Sequence, residues 1–139
     1  MKYLLDTCVI SELISKKPNP KVVEFVDSLE PEDVYLSVIT IGEITKGIER
    51  LPKSSRKTNL QNWLRDDLLI RFEGNILTLD TDTFIEWGRL TAKLESLGKT
   101  MPAIDSLIAA TVLKKNMTLI TRNISDFEET DVEIINPWK

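Results

Sequence analysis

The sequence predicts an α/β sandwich in which a mostly parallel central sheet is covered by helices on both faces. Short apolar runs that stop at an acid, a hydroxyl or a turn residue (KYLLD, DVYLS, ILTLD, MTLIT and VEII) alternate with longer stretches whose apolar residues recur every three or four positions. Proline, glycine and asparagine fall between the two kinds of segment, where a chain changes direction. In a sheet of this type, sites gather beyond the carboxyl ends of the strands.

The elements follow in order. KYLLD reads as a buried strand with Asp6 at its carboxyl end, and a helix follows at once through CVISELI. Lys16 to Pro20 forms a loop. Asn19 then caps a helix with Pro20 in its first position and Val22, Val23, Phe25, Val26 and Leu29 on its inner side. DVYLS is the next strand, and Ser37 suits the cap of a helix whose stripe is Ile41, Ile44 and Ile48. Pro52 ends that helix, and a longer one runs from about Ser55 to Phe72 with Leu60, Trp63, Leu64 and Leu68 buried. Gly74 and Asn75 precede the strand ILTLD. Asp80 or Thr81 caps a helix carrying Phe84, Trp87, Leu90, Leu94 and Leu97, which stops at Gly98. A further helix runs from Pro102 to about Lys115, followed by strands at Met117 to Thr121 and at VEII.

With 139 residues the chain has the size of one domain, expected to span 1–139. Cys8 has no second cysteine to pair with, no leader-like segment opens the chain, and no apolar run approaches the roughly 20 residues of a membrane helix. A cytoplasmic, non-membrane protein is expected. The formal net charge of −4 excludes a protein that coats nucleic acid by bulk attraction, though not an enzyme acting on it. Lys46, Arg50, Lys53, Arg56 and Lys57 gather in one stretch, which reads first as a solvated helix face.

Four acids stand in segments whose pattern carries them to strand ends or helix starts: Asp6 in LLDTCVISEL, Glu43 in LSVITIGEITKGIE, Asp105 in MPAIDSLIAATVLKK and Asp126 in LITRNISDF. Taken singly, Asp6 reads equally well as a helix cap and Glu43 as an exposed helix residue. Asp105 is sharper, because its helical neighbours Met101, Ile108, Ala109 and Val112 are apolar and an ionised Asp on such a face is costly unless paired. In TRNISDF either Asn123 or Asp126 can face the site. Brought together, like charges about 4 Å apart repel by roughly 4 kcal/mol per pair at an effective dielectric of about 20, so a cation or a raised pKa must relieve them. With no histidine in the chain, the oxygen-loving Mg²⁺ or Mn²⁺ is the obvious partner, and the chemistry this predicts is hydrolysis of a phosphodiester by an activated water. Thr7 and Thr121, beside the acids, are candidates to hold water or a phosphate oxygen.

These segments, together with IDSLIAATVLKK and the ending INPW, make nearly the whole chain resemble the PIN-domain ribonucleases, and among them the VapC-type toxins with their FitB branch. The resemblance implies a PIN-like α/β/α sandwich and a Mg²⁺- or Mn²⁺-dependent endoribonuclease with Asp6, Glu43 and Asp105 as its acidic triad. Family members carry the fourth acid either where this chain has Asn123 or three residues later, at Asp126, and Asp126 is the residue expected here. The resemblance further implies RNA as substrate, a homodimer or larger assembly, and a cognate antitoxin that lays a peptide across the groove and inserts a basic side chain among the acids. Apolar and aromatic residues on the helices at Val22 to Leu29 and Ser55 to Phe72 are in part expected to meet such partners.

Other classes predict different behaviour. A haloacid-dehalogenase-type phosphatase needs D-x-D where this chain has DTC, and a phosphotransfer receiver needs paired acids at the first strand. A DNA nuclease of the same fold differs only in contacts to the 2′-hydroxyl. A non-catalytic module with an acidic pocket for a basic peptide would bind its partner without a metal and survive Asp105→Asn.

Overall fold

The computed structural model describes residues 1–139 and contains five parallel strands in the order β3-β2-β1-β4-β5. They are β1 (Tyr3–Leu5), β2 (Val34–Ser37), β3 (Ile76–Leu77), β4 (Thr118–Ile120) and β5 (Glu133–Ile135). Adjacent residues point to opposite faces of a strand, and the core divides accordingly. Leu5, Val34, Leu36 and Ile120 pack on one side against α1 (Thr7–Leu13), α2 (Pro20–Asp27), α3 (Val38–Glu49) and the helix that follows Ser54. Leu4 and Leu119 pack on the other against α6 (Thr81–Ser96) and α7 (Ala103–Lys115). The predicted sandwich is therefore present.

Local sequence accounts for the boundaries. Asn19 Oδ1 accepts from the Lys21 N–H, Ser37 Oγ from that of Ile39 and Ser54 Oγ from that of Lys57, each satisfying an otherwise orphaned donor. Between Asp80 and Thr81 the cap is Asp80, whose Oδ1 accepts from both the N–H and the hydroxyl of Thr83. These bonds and Lys115 hold its carboxyl at about 2. A pKa lowered on folding stabilises the native state above the ordinary value, and that stabilisation fades as pH falls through about 2. Asp80→Ala is accordingly expected to lower Tm at pH 7, with the gap from wild type narrowing as acid approaches pH 2 in a thermal melt series.

The helix expected from Ser55 to Phe72 is found as α4 (Ser55–Trp63), a π-helical turn (Leu64–Leu68) and α5 (Leu69–Arg71). Leu60, Leu64, Leu68 and Phe72 are spaced by four, slightly more than one 3.6-residue turn, so an unbroken α-helix would carry the stripe progressively off the core. One wider turn corrects the drift, and Leu68 and Phe72 end fully buried. Val22 and Val26 of α2 are buried too, so the apolar residues of both helices mostly serve the core rather than a partner.

On α6 the inner face is narrower than its sequence implies. Thr83, Leu90 and Leu94 are buried, but Phe84 is 45% and Leu97 61% exposed. The helix forms an outer layer and packs mainly along α7, which covers only one strip of it. No helix is long and apolar enough to cross a membrane.

Candidate metal centre

The chain builds outward from β1 through β2 to β3, then returns to place β4 on the other side of β1. That reversal opens a crevice beyond the carboxyl ends of β1 and β4, where α/β sheets hold their ligands. Asp6 follows β1 directly, with its N–H bonded to the Ile120 carbonyl at 3.0 Å, and Thr121 follows β4. Glu43 lies on the second turn of α3, which leaves the end of β2. Asp105 sits in the first turn of α7, a helix that runs antiparallel to the strands it precedes, so its positive end points at the crevice. Asp126 is on a short 3₁₀ turn, Ile124–Phe127, just past β4.

Asp6 is the most enclosed of the four, 8% exposed, while Asp105 is half-buried and Glu43 and Asp126 are exposed. The apolar neighbours of Asp105 in the sequence imply that the sharpest desolvation lies there. It falls instead on Asp6 because that residue closes the central strand. The Asp6 carboxylate is held in place from two sides: Oδ1 accepts the Thr7 N–H at 2.9 Å and Oδ2 accepts the Thr121 hydroxyl at 2.8 Å. The Asn123 N–H donates to Thr121 Oγ1 at 3.0 Å, orienting that hydroxyl, and Cys8 Sγ lies 3.5 Å from it. Thr7 donates its own hydroxyl to Glu43 Oε1 at 2.6 Å and lies 3.2 Å from Thr40 Oγ1. Both threonines thus orient carboxylates rather than standing free to hold phosphate. Thr40, buried within the isoleucine run of α3, was not singled out by its sequence context.

Electrostatics tie the four acids into one group. Burial pushes the Asp6 carboxyl above its ordinary value; the bonds from Thr121 and Thr7 oppose this, and the charges of Glu43 and Asp126 add to it. Asp105 is raised by burial first, then by Asp126, Asp6 and Glu43. No lysine or arginine forms an ion pair with any of the four. Asn123, exposed on the same turn, contributes its backbone N–H.

The carboxylates do not close into a cage of three or more ligands at one point. Their chemistry nevertheless suits a hard cation: every donor is oxygen, two are burdened by uncompensated negative charge, and Mg²⁺ characteristically keeps several waters while taking only one or two carboxylates. Beside the acids, a groove of about 670 Å³ opens between α1, α3 and α4, lined by Thr7, Glu43, Ile48, Leu51, Arg56 and Leu60 among others. Arg56, part of the basic stretch in the sequence, therefore faces a groove rather than bulk solvent alone.

A parallel sheet with this strand order and acids at its carboxyl edge defines a class, and the PIN domain profile matches residues 3–133: the chain belongs to the PIN-domain family. Within that family it groups with the FitB and VapC toxins. It is 38% identical to Toxin FitB of Neisseria gonorrhoeae over 97% of each chain, and 36% identical to VapC ribonuclease Y4jK of Sinorhizobium fredii over 98% of this chain and 97% of that one. The crystal structure of FitAcB from Neisseria gonorrhoeae superposes with a TM-score of 0.92 at 38% identity, covering 98% of both chains.

Proposed function

We propose that this protein, a single PIN domain over residues 1–139, is the toxin of a toxin–antitoxin pair, a divalent-metal-dependent endoribonuclease acting in the cytoplasm. The observation that carries the reading is the convergence of Asp6, Glu43, Asp105 and Asp126 on one crevice, mutually repelling and with no protein cation to offset them. Relatives that bear the name ribonuclease support the reaction class.

When bound, Mg²⁺ or Mn²⁺ supplies a more acidic water and a positive charge against the phosphodiester oxygens. Asp6, with both oxygens already aligned by Thr7 and Thr121, is the fixed point of the ligand set. Glu43, which accepts the Thr7 hydroxyl, Asp105, at the positive end of α7, and Asp126 would each hold the ion directly or through one of its waters. With the ion held there, an activated water would be the nucleophile, so none of these side chains would need to attack the phosphodiester itself. Burial first, and the neighbouring carboxylates after it, raise the proton affinity of Asp6 and Asp105, a cost that a bound cation would relieve.

Between the two candidates for the fourth residue, Asp126 is the one whose charge reaches both Asp6 and Asp105, whereas the contribution of Asn123 is a backbone bond that survives side-chain removal. Asp126→Asn is expected to lower cleavage by about 10- to 100-fold and Asn123→Ala by less than about 3-fold, measured as single-turnover rates. The cognate antitoxin places a peptide in the groove that opens at Glu43, with a basic residue reaching the acids, and the toxin assembles as a homodimer within that complex.

The direct test is thermal stability and RNA cleavage with and without divalent ion. At free Mn²⁺ of about 100 times Kd, binding adds roughly 2.7 kcal/mol, a shift of several degrees. Cleavage should appear with the ion and vanish with chelator. A protein whose Tm and RNA substrate are both unaffected by millimolar Mg²⁺ and Mn²⁺ is not this enzyme.

A further inference from the structure

The ending INPW and the Arg of TRN take no part in the chemistry above, yet the structure joins them. Beyond β5 the chain turns at Pro137, and the Trp138 N–H donates to Asn136 Oδ1 at 2.9 Å, which directs the indole back toward β4. The Arg122 guanidinium lies over the Trp138 ring at 4.3 Å. Glu12, on the last turn of α1, receives both: its Oε1 accepts from Trp138 Nε1 at 3.1 Å and from Arg122 Nη2 at 3.2 Å. Its Oε2 accepts the N–H of Asn19, the cap of α2, at 3.1 Å. One carboxylate thus gathers α1, the start of α2, the exit of β4 and the C-terminal tail, and these bonds hold the Glu12 carboxyl below its ordinary value.

Arg122 stands between Thr121, which donates to Asp6 Oδ2, and Asn123, which orients that hydroxyl. The backbone of residues 121–123 therefore cannot shift without moving the Asp6 contact and the 3₁₀ turn that bears Asp126. We propose that Glu12, Arg122 and Trp138 form a positioning latch that fixes the Thr121–Asn123 turn, and through it Asp6 and Asp126, in the geometry used to bind a divalent ion and cleave phosphodiesters. The latch rests on the nuclease reading and adds residues to it that touch neither ion nor substrate.

An outer partner that orients a metal-binding carboxylate is worth about 10- to 100-fold in affinity or rate. Trp138→Ala is therefore expected to lower kcat about 10-fold with KM within about 3-fold of wild type, and to raise the Mn²⁺ midpoint in thermal-shift titration about 10-fold. Trp138→Phe keeps an aromatic face for Arg122 and should recover most of both losses. Arg122→Met, at an exposed residue whose removal leaves the core intact, should reproduce the Trp138→Ala losses, and the double variant should be no worse than either single one, because the residues act as a unit.

The experiment compares these variants with wild type in Mn²⁺-dependent cleavage of labelled RNA and in Mn²⁺ titration. Parallel loss of kcat and Mn²⁺ affinity in Arg122→Met, with rescue in Trp138→Phe, establishes the latch. Wild-type kcat and Mn²⁺ midpoint in a folded Arg122→Met overturn it, whether or not Trp138→Ala folds, and leave the nuclease reading standing. A wild-type protein with no Mn²⁺-dependent cleavage overturns the reading itself and the latch with it.

Discussion

Asp105→Asn is expected to lower divalent-dependent RNA cleavage by at least about 100-fold while raising thermal stability in the absence of divalent ion, and Asp6→Asn should match it in activity. The two effects have one cause. Asp105 carries a carboxylate that burial and three neighbouring acids disfavour, so its folded pKa lies above its unfolded one. A raised carboxyl pKa means that the native state binds more protons than the unfolded chain between the two values, and stability falls as pH rises through that window. Above it, the ionised group is a net cost until a cation offsets it. Asparagine preserves shape, removes the cost and removes the ligand. At neutral pH with chelator, Asp105→Asn should melt higher than wild type; with saturating Mn²⁺ the order should reverse. In Asp6→Asn the same relief is set against a lost hydrogen bond, because both carboxylate oxygens accept one and asparagine keeps a single acceptor oxygen. A melt series in chelator and in Mn²⁺, beside single-turnover rates, checks every part of this expectation.

Phe127→Ala is expected to cost about 3–5 kcal/mol, and so to lower Tm by about 10 to 20 °C. Phe127 is 1% exposed, packed with Leu90, Leu94, Ile108, Val112 and Leu119 beneath the sheet. It is also the last residue of the 3₁₀ turn bearing Asp126, so one aromatic ring anchors both the core and the most exposed stretch of the acidic site. Deleting it leaves a cavity that a four-residue turn cannot collapse to fill. A urea titration should show a lower midpoint with unchanged slope, and cleavage measured well below the new Tm should fall further than that of a core variant remote from the crevice, such as Val22→Ala.

The part of this architecture legible in the sequence is the part dictated locally. Apolar runs of three to five residues ending at Asp6, Ser37 and Thr121 mark strand ends, and Asn19, Ser37 and Asp80 cap the helices that their chemistry predicts. Glu43 and Asp105 follow from those boundaries, because a helix leaving a strand end and a helix running back toward the next strand both present a terminus at the same edge. What the sequence leaves open depends on contacts across long separations. Asn123 and Asp126 both suit a turn, and a preference between them depends on how the 3₁₀ turn lies against Asp6 and Asp105. Phe84 and Leu97 fit a helical stripe perfectly well, but α7 covers only the strip through Thr83, Leu90 and Leu94. Glu12, Arg122 and Trp138 meet across 110 and 126 residues of chain, and no periodicity reports such a meeting.

Cleavage of an end-labelled structured RNA by purified, partner-free wild type and by Asp105→Asn, each with Mg²⁺, with Mn²⁺ and with chelator, tests the central claim most directly. Wild type should make defined internal cuts in either metal and none with chelator, and Asp105→Asn should stay below about 1% of the wild-type rate. Wild-type-level cutting by a folded Asp105→Asn, or cutting that persists in chelator, would contradict it.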